Sequence, residues 1–277
     1  MPTRTSTSLR EKTISIIGLG QIGGSIVKRL SEARPKVSLL VHDRDRRLAT
    51  KVGRYAEWVT DLGTLVRRAD IIILATPVPS IIAMMKEIAS FSKTKNRKFL
   101  VLDTGTVKHT VHQEALRHRT RFAFVGLHPL AGAEGEGWKS SRADLFVGRR
   151  IVVTPAARAR LSVIRSLVNV LGATALPMDP RVHDRLVAEA IGLPHILAFA
   201  AQGMSRDNAL RAGSWASLTR VAASNPEMVA GFLSANAAEQ KRAIAKFEIE
   251  LRRLKRALDD KSGRALLKLL SDRQRTE

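Results

Sequence analysis

The run Gly18-Leu19-Gly20-Gln21-Ile22-Gly23 constrains this chain more than any other feature. It follows the apolar, β-branched stretch Thr13–Ile17 and opens the amphipathic stretch Ile22–Ala33, so the glycines stand at a strand-to-helix turn. In that setting Gly18 permits the tight turn, Gly20 lets a pyrophosphate approach the backbone, and Gly23 allows the helix to pack closely on the strand. The anion then rests on the first-turn N–H groups, around Gln21 and Ile22, where the helix dipole favours it. Asp43 ends the next β-rich stretch, about 20 residues on, where an acid binds ribose hydroxyls; its plainer reading is a turn residue. The acid favours NAD over NADP, although Arg44 and Arg46 beside it could hold a 2′-phosphate.

The rest of the first half agrees with a dinucleotide domain. Candidate strands are Thr13–Ile17, Val37–His42, Ile71–Ala75, Phe99–Leu102, Phe122–Val125 and Ile151–Thr154. Several are continuous apolar runs, as strands buried on both faces of a parallel sheet read. Helical stretches such as Ile22–Ala33, Asp61–Arg68 and Ser80–Phe91 lie between them, which implies βαβ units and a doubly wound sheet. After Met178 no strand candidate appears. Asp179-Pro180 and Asn225-Pro226 are helix starts, and Ile244, Phe247, Leu251, Leu254 and Leu258 form a 3-4 stripe on a long helix. The expected architecture is an α/β Rossmann-type nucleotide-binding domain over residues 1–178, then an all-helical substrate and dimerisation domain over 179–277.

Composition narrows the function classes. Hydrophobic residues make up 44% and charged residues 26%, which excludes wholesale disorder. No uninterrupted apolar run approaches the ~18 residues of a membrane span. Met1–Ser6 is polar and basic with no apolar core, so no secretory leader is expected, and the cytoplasm is the expected compartment. Cysteine is absent, which removes disulfides, thiolate metal sites and a Cys nucleophile. The net charge of +22 asks for anionic partners, and nucleic acid is one reading of it. Against that reading, the cations are dispersed and aromatics are only 4%, too few for stacking platforms.

Three further segments carry candidate chemistry. Asp103-Thr104-Gly105-Thr106-Val107-Lys108 follows the fourth strand, at the end where open α/β sheets place ligands; the Thr106 hydroxyl and Lys108 ammonium could orient a substrate, or the segment is a capping turn. His128, at the end of the fifth strand and followed by a glycine-rich loop, is placed as a general base. In the helical half, His183 stands in the first turn of its helix, as a substrate contact or a purely structural residue. His195 follows Pro194, which should kink the helix, and a metal pair with His183 is not expected. Arg220, read as half-buried among apolar neighbours, calls for a carboxylate partner from protein or substrate.

Taken in order, GLGQIGGSI (18–26), ADIIILATPV (69–78), LDTGTVK (102–108), HPLAGAEGEG (128–137), DLFVGRRIVVTP (144–155), HDRLVAEAIGLPH (183–195) and LTRVAASNPEM (218–228) resemble the prephenate/arogenate dehydrogenase family. The resemblance implies NAD-dependent oxidative decarboxylation. It makes His128 the acceptor of the substrate's hydroxyl proton and puts Thr106 where the family usually has Ser. It makes Arg220 a substrate-carboxylate ligand and His195 a second active-site His, and it adds Thr76 and Pro77 to the cofactor contacts. It further implies a homodimer through the C-terminal helices, with a small anionic substrate between the two halves. Two departures bear on substrate choice: Ile191-Gly192 stands where the family commonly has Ser-His, and Val229 where it commonly has Trp.

Prephenate is therefore the expected substrate, with arogenate or 4-amino-4-deoxyprephenate as alternatives. A 3-hydroxyacid or imine-type dehydrogenase on the same architecture, and a basic NAD-responsive nucleic-acid-binding regulator, are the competing readings. The 277 residues are expected to hold the two catalytic domains and nothing more.

Overall fold

A computed structural model of the chain describes residues 9, 11–33, 37–92, 99–132, 135–155, 161–204 and 211–274; Met1–Ser6 lie outside them. The strands are β1 (Thr13–Ile17), β2 (Ser38–His42), β3 (Glu57–Trp58), β4 (Ile71–Leu74), β5 (Leu100–Asp103), β6 (Ala123–Pro129), β7 (Arg150–Pro155) and β8 (Thr174–Pro177). The helices are α1 (Gln21–Ser31), α2 (Ala49–Val52), α3 (Leu62–Arg68), α4 (Val78–Phe91), α5 (His109–Arg117), α6 (Leu161–Leu171), α7 (Pro180–Val187), α8 (Leu193–Met204), α9 (Gly213–Thr219), α10 (Pro226–Ala235), α11 (Ala237–Ala257) and α12 (Arg264–Gln274).

One sheet runs β3-β2-β1-β4-β5-β6-β7-β8. Its first six strands have the order of a dinucleotide-binding sheet, which reverses direction between β1 and β4 and opens a crevice there. Every neighbouring pair is parallel except β6 and β7. Ile14, Ile16, Ile71, Ile73, Leu100 and Leu102 are buried in one cluster with Ile26, Val27 and Leu30 of α1 and with Leu167, Val168 and Leu171 of α6. The continuous apolar runs arise because helices cover this sheet.

All six expected strands form. β3 and β8 were not anticipated: β3 has two residues, and β8 is too exposed to carry an apolar run. A third difference concerns the site. β6 does not end at Val125 but continues to Pro129, because antiparallel β7 extends the pairing and sets His128 against Val152. His128 is therefore a strand residue, not a loop residue.

The chain forms two compact units, Met1–Asp184 with Asn225–Ala235, and Arg185–Ser224 with Asn236–Glu277. The first unit thus runs past Met178. Asp184 is tied into it by hydrogen bonds to the start of α5, and α10 by the bond from Thr110 Oγ1 to the Ala235 carbonyl. Both predicted helix starts are capped: Asp179 accepts from Arg181 and Val182, and Asn225 from Met228.

In the second unit one turn of π-helix, Ala188–Gly192, precedes Pro194. Pro194 lacks the N–H that an α-turn needs and crowds the carbonyl one turn back, and the widened turn accommodates both. Gly192 matters here, since a Cβ on it would lie 2.2 Å from Nε2 of the buried Gln240. The helical stretch Pro180–Met204 is long and apolar enough to cross a membrane by length and composition, with mean hydropathy 1.3. It begins, however, with His183 and Asp184, which are 2% exposed and bonded inside the α/β unit.

Candidate active site

The glycine turn is built for close approach. Gly18 has φ +93°, and a Cβ there would meet the Ala75 carbonyl at 2.6 Å and Thr76 Cγ2 at 2.7 Å, so the ends of β1 and β4 touch. A Cβ on Gly23 would lie 1.9 Å from the Gly18 carbonyl, whereas one on Gly20 would meet nothing within 4 Å. Gly20 is also the N-cap of α1 and offers no side chain to the first-turn N–H groups of Gln21, Ile22 and Gly23. α3, by contrast, is capped by Asp61. An open cradle at a helix start whose N-cap lends no side chain, at a sheet's switch point, fits a pyrophosphate.

Asp43 lies beside this turn. Its Oδ2 accepts from Leu19 N at 2.6 Å and its Oδ1 from Asp45 N at 2.8 Å, so one carboxylate fixes both the glycine turn and the end of β2. A pocket of about 220 Å³ lined by His42, Asp43, Arg44, Arg46, Trp58 and Thr60 opens next to it. Thr76 and Pro77 follow β4, with Pro77 capping α4. Gln21 reaches toward the Gly135 carbonyl at 3.5 Å, from the loop that follows β6; Ala133 and Glu134 of that loop lie outside the described residues.

His128 is 7% exposed and begins a buried chain of hydrogen bonds. Its Nδ1 lies 2.9 Å from His183 Nε2, and His183 Nδ1 lies 2.7 Å from Asp184 Oδ1. The carboxylate only accepts, so His183 carries its proton on Nδ1 and presents a bare Nε2. His128 must then donate from its own Nδ1, which leaves His128 Nε2 as a base. Asp184 also accepts the backbone N–H groups of Lys108 and His109, both at 2.8 Å, and so caps α5 from α7. His183 is thus placed as the link between His128 and Asp184, at 2% exposure, and not as a surface for substrate.

Lys108 is corrected as well. It is 1% exposed, paired with the equally buried Asp103, and donates to the Leu127 carbonyl at 2.7 Å. An ammonium so enclosed cannot hold a substrate. Thr106 stands in the same loop, partly exposed.

In the second unit, His195 Nδ1 donates to the Ile191 carbonyl at 2.8 Å, which folds the imidazole against its own helix. Arg220 opens a 3-10 turn, Arg220–Ala223, and is exposed, not half-buried as its apolar neighbours suggested. Among the described residues no carboxylate pairs with it, so its guanidinium is available to a substrate carboxylate.

Comparison with known proteins decides the family. Residues 26–176 match the family model of the prephenate dehydrogenase nucleotide-binding domain, and residues 179–272 that of the prephenate dehydrogenase dimerization domain. The chain belongs to the prephenate dehydrogenase family. It is 30% identical to the cyclohexadienyl dehydrogenase of Zymomonas mobilis over 95% of this chain and 94% of that one. With the prephenate dehydrogenase of Lactococcus lactis it shares 32% identity over 81% of this chain and 65% of the longer relative. The structure of an A. aeolicus prephenate dehydrogenase bound to hydroxyphenyl propionate and NAD+ superimposes with a TM-score of 0.86, at 26% identity and 98% coverage of both chains.

This family member is an NAD-dependent oxidoreductase, and residues 26–176 are its nucleotide-binding domain. Two members of its buried network, Asp103 and Asp184, had not been singled out. Each is a charged residue beside an apolar run or a His, a pattern that marks a buried partner without naming it. Replacing Asp184 by Asn is expected to destabilise the protein by roughly 3 kcal/mol, since two buried donors and one part-buried donor lose a charged acceptor. It should also lower turnover about tenfold or more, because the proton on His183 Nδ1 is no longer fixed. Urea unfolding and steady-state kinetics check the two effects.

Burial holds the His128 imidazole well below its usual pKa, and the neighbouring His183 and Lys108 push it the same way. The base is thus neutral at ordinary pH. The unfolded chain takes up this proton near pH 6.5 while the folded protein resists it. His128 therefore costs no stability above about pH 6.5, and below it stability falls by up to about 1.4 kcal/mol per pH unit until the folded group itself titrates. Urea midpoints of wild type and His128→Asn from about pH 8 to 5 test this: the acid-side slope should be shallower in the variant.

Proposed function

We propose that the enzyme converts prephenate to 4-hydroxyphenylpyruvate by NAD-dependent oxidative decarboxylation, in tyrosine biosynthesis in the cytoplasm. The carrying observation is His128, its proton inventory fixed by the Asp184–His183 chain, in the same compact unit as the dinucleotide cradle. Bound NAD+ supplies the hydride acceptor. Gly18, Gly20 and Gly23 with the first-turn amides of α1 hold its pyrophosphate, Asp43 its ribose, and Thr76 and Pro77 flank it.

In this reading His128 Nε2 accepts the proton of the substrate's ring hydroxyl as the hydrogen on the same carbon leaves as hydride. Carbon dioxide departs with its bonding pair left in the ring, the ring becomes aromatic, and the proton returns from His128 to the phenolate oxygen. Aromatisation drives the reaction, so the protein's task is to orient the substrate and move one proton. Thr106 orients that arrangement through its hydroxyl. Arg220 takes the substrate's side-chain carboxylate, which suits a bidentate guanidinium, and His195 serves as a second active-site His.

Arogenate is the second reading, because Ile191-Gly192 and Val229 depart from the family's usual Ser-His and Trp at positions that bear on substrate choice. The test is NADH formation with each substrate under the same conditions; a higher kcat/KM for arogenate would replace prephenate in this proposal. A homodimer is part of the reading. Leu251 and Leu258 of the α11 stripe are 53% and 67% exposed in one chain, within the region matched by the dimerization domain.

A further inference from the structure

We propose that the buried Asp103–Lys108 pair is a positioning device for His128, holding the β6 backbone at Leu127 and thereby the imidazole of the next residue. The proposal rests on His128 being the proton acceptor. Its basis is where the sheet ends. β5 and β6 pair only as far as Asp103 opposite Gly126. Beyond Asp103 the β5 chain turns off: Thr104 N donates to the Leu74 carbonyl, and Gly105 N to Asp103 Oδ2. The ladder therefore supplies no β5 amide to the Leu127 carbonyl, and Lys108 Nζ takes that place at 2.7 Å. His128 follows directly, with its imidazole held from the other side by His183.

The lysine's path is cleared by Gly126, where a Cβ would lie 3.0 Å from Lys108 Cδ and 2.3 Å from Thr154 Oγ1. The backbone of Lys108 is fixed too, by Asp184, the same carboxylate that holds His183. Both supports of His128 thus converge on residues that touch one another. Stability alone does not account for the pair. Enclosing two charges carries a large desolvation cost that apolar residues of the same size avoid, and Asp103 Oδ1 is buried with no hydrogen-bond partner among the described residues. The charged or titratable groups acting on His128 are Lys108 from the loop and His183 from α7, backed in turn by Asp103 paired with Lys108 and Asp184 paired with His183. Among them the Lys108 charge joins burial and His183 in disfavouring the imidazolium.

The test is the double variant Asp103→Asn/Lys108→Met, which removes both charges yet keeps shape and an acceptor for Gly105 N. Imidazole NMR titration of His128 and steady-state kinetics are read together. The expected result is a His128 titration moved to higher pH, and kcat lowered about 100-fold with NAD+ affinity changed less than about threefold. Should the double variant fail to fold, Lys108→Met alone gives the same readings, since a lone buried Asp103 protonates. An unmoved His128 titration with wild-type kcat, and only thermal stability altered, would overturn the proposal. Wild-type protein that oxidises neither prephenate nor arogenate would instead overturn the functional reading, and the NMR titration would still judge the pair.

Discussion

Replacing His128 by Asn is expected to lower turnover about 1,000-fold while NAD+ binds nearly as before, because a positioned general base contributes on the order of 10²–10⁴. Asn keeps a polar group of similar reach, so His183 still finds a partner and the strand still pairs with β7. What it lacks is the bare nitrogen that the Asp184–His183 chain produces at Nε2. Stopped-flow hydride transfer and fluorescence titration with NADH separate the two quantities. A 3-hydroxyacid or imine-type dehydrogenase does not need this His, so wild-type rates in the variant would favour those chemistries.

The second large effect concerns the glycines, and two of them should fail differently. Gly23→Ala places a Cβ 1.9 Å from the Gly18 carbonyl, a backbone atom that cannot step aside. α1 must then lift from β1, at a cost on the order of 3 kcal/mol, with NAD+ binding lost alongside. Gly20→Val meets open space in the protein itself, so the fold should hold. Its methyl groups occupy the pyrophosphate's approach, and affinity for NAD+ should fall about 100-fold, or roughly 2.7 kcal/mol. Circular dichroism melts with calorimetric NAD+ titration would separate them; equal melting temperatures for both variants would contradict this account of the turn.

The sheet was legible because Ile14, Ile16, Ile71–Leu74 and Leu100–Leu102 are buried on both faces and so read as unbroken apolar runs. β3 and β8 escaped because they are short or partly exposed edge pieces. The cradle was legible because its glycines have steric duties that leave a fixed spacing. The proton chain was only half legible. His128 and His183 stood out as residue types, but their meeting depends on β6 continuing to Pro129 and on α7 returning to the same unit. No local periodicity reports such a contact. Lys108 misled for a related reason: a lysine beside a ligand-binding loop reads as a substrate contact until its Asp103 partner and the broken β5 ladder are seen. Of the excess positive charge, +22 over the chain, the candidate site as described involves Lys108, Arg220 and the pocket-lining Arg44 and Arg46.

The most direct test of the central claim is turnover of prephenate and arogenate by the purified wild-type protein with NAD+, following NADH and carbon dioxide together. The account predicts that both form in equal amounts, with prephenate the better substrate. A folded protein that binds NAD+ yet forms neither product from either compound would contradict it.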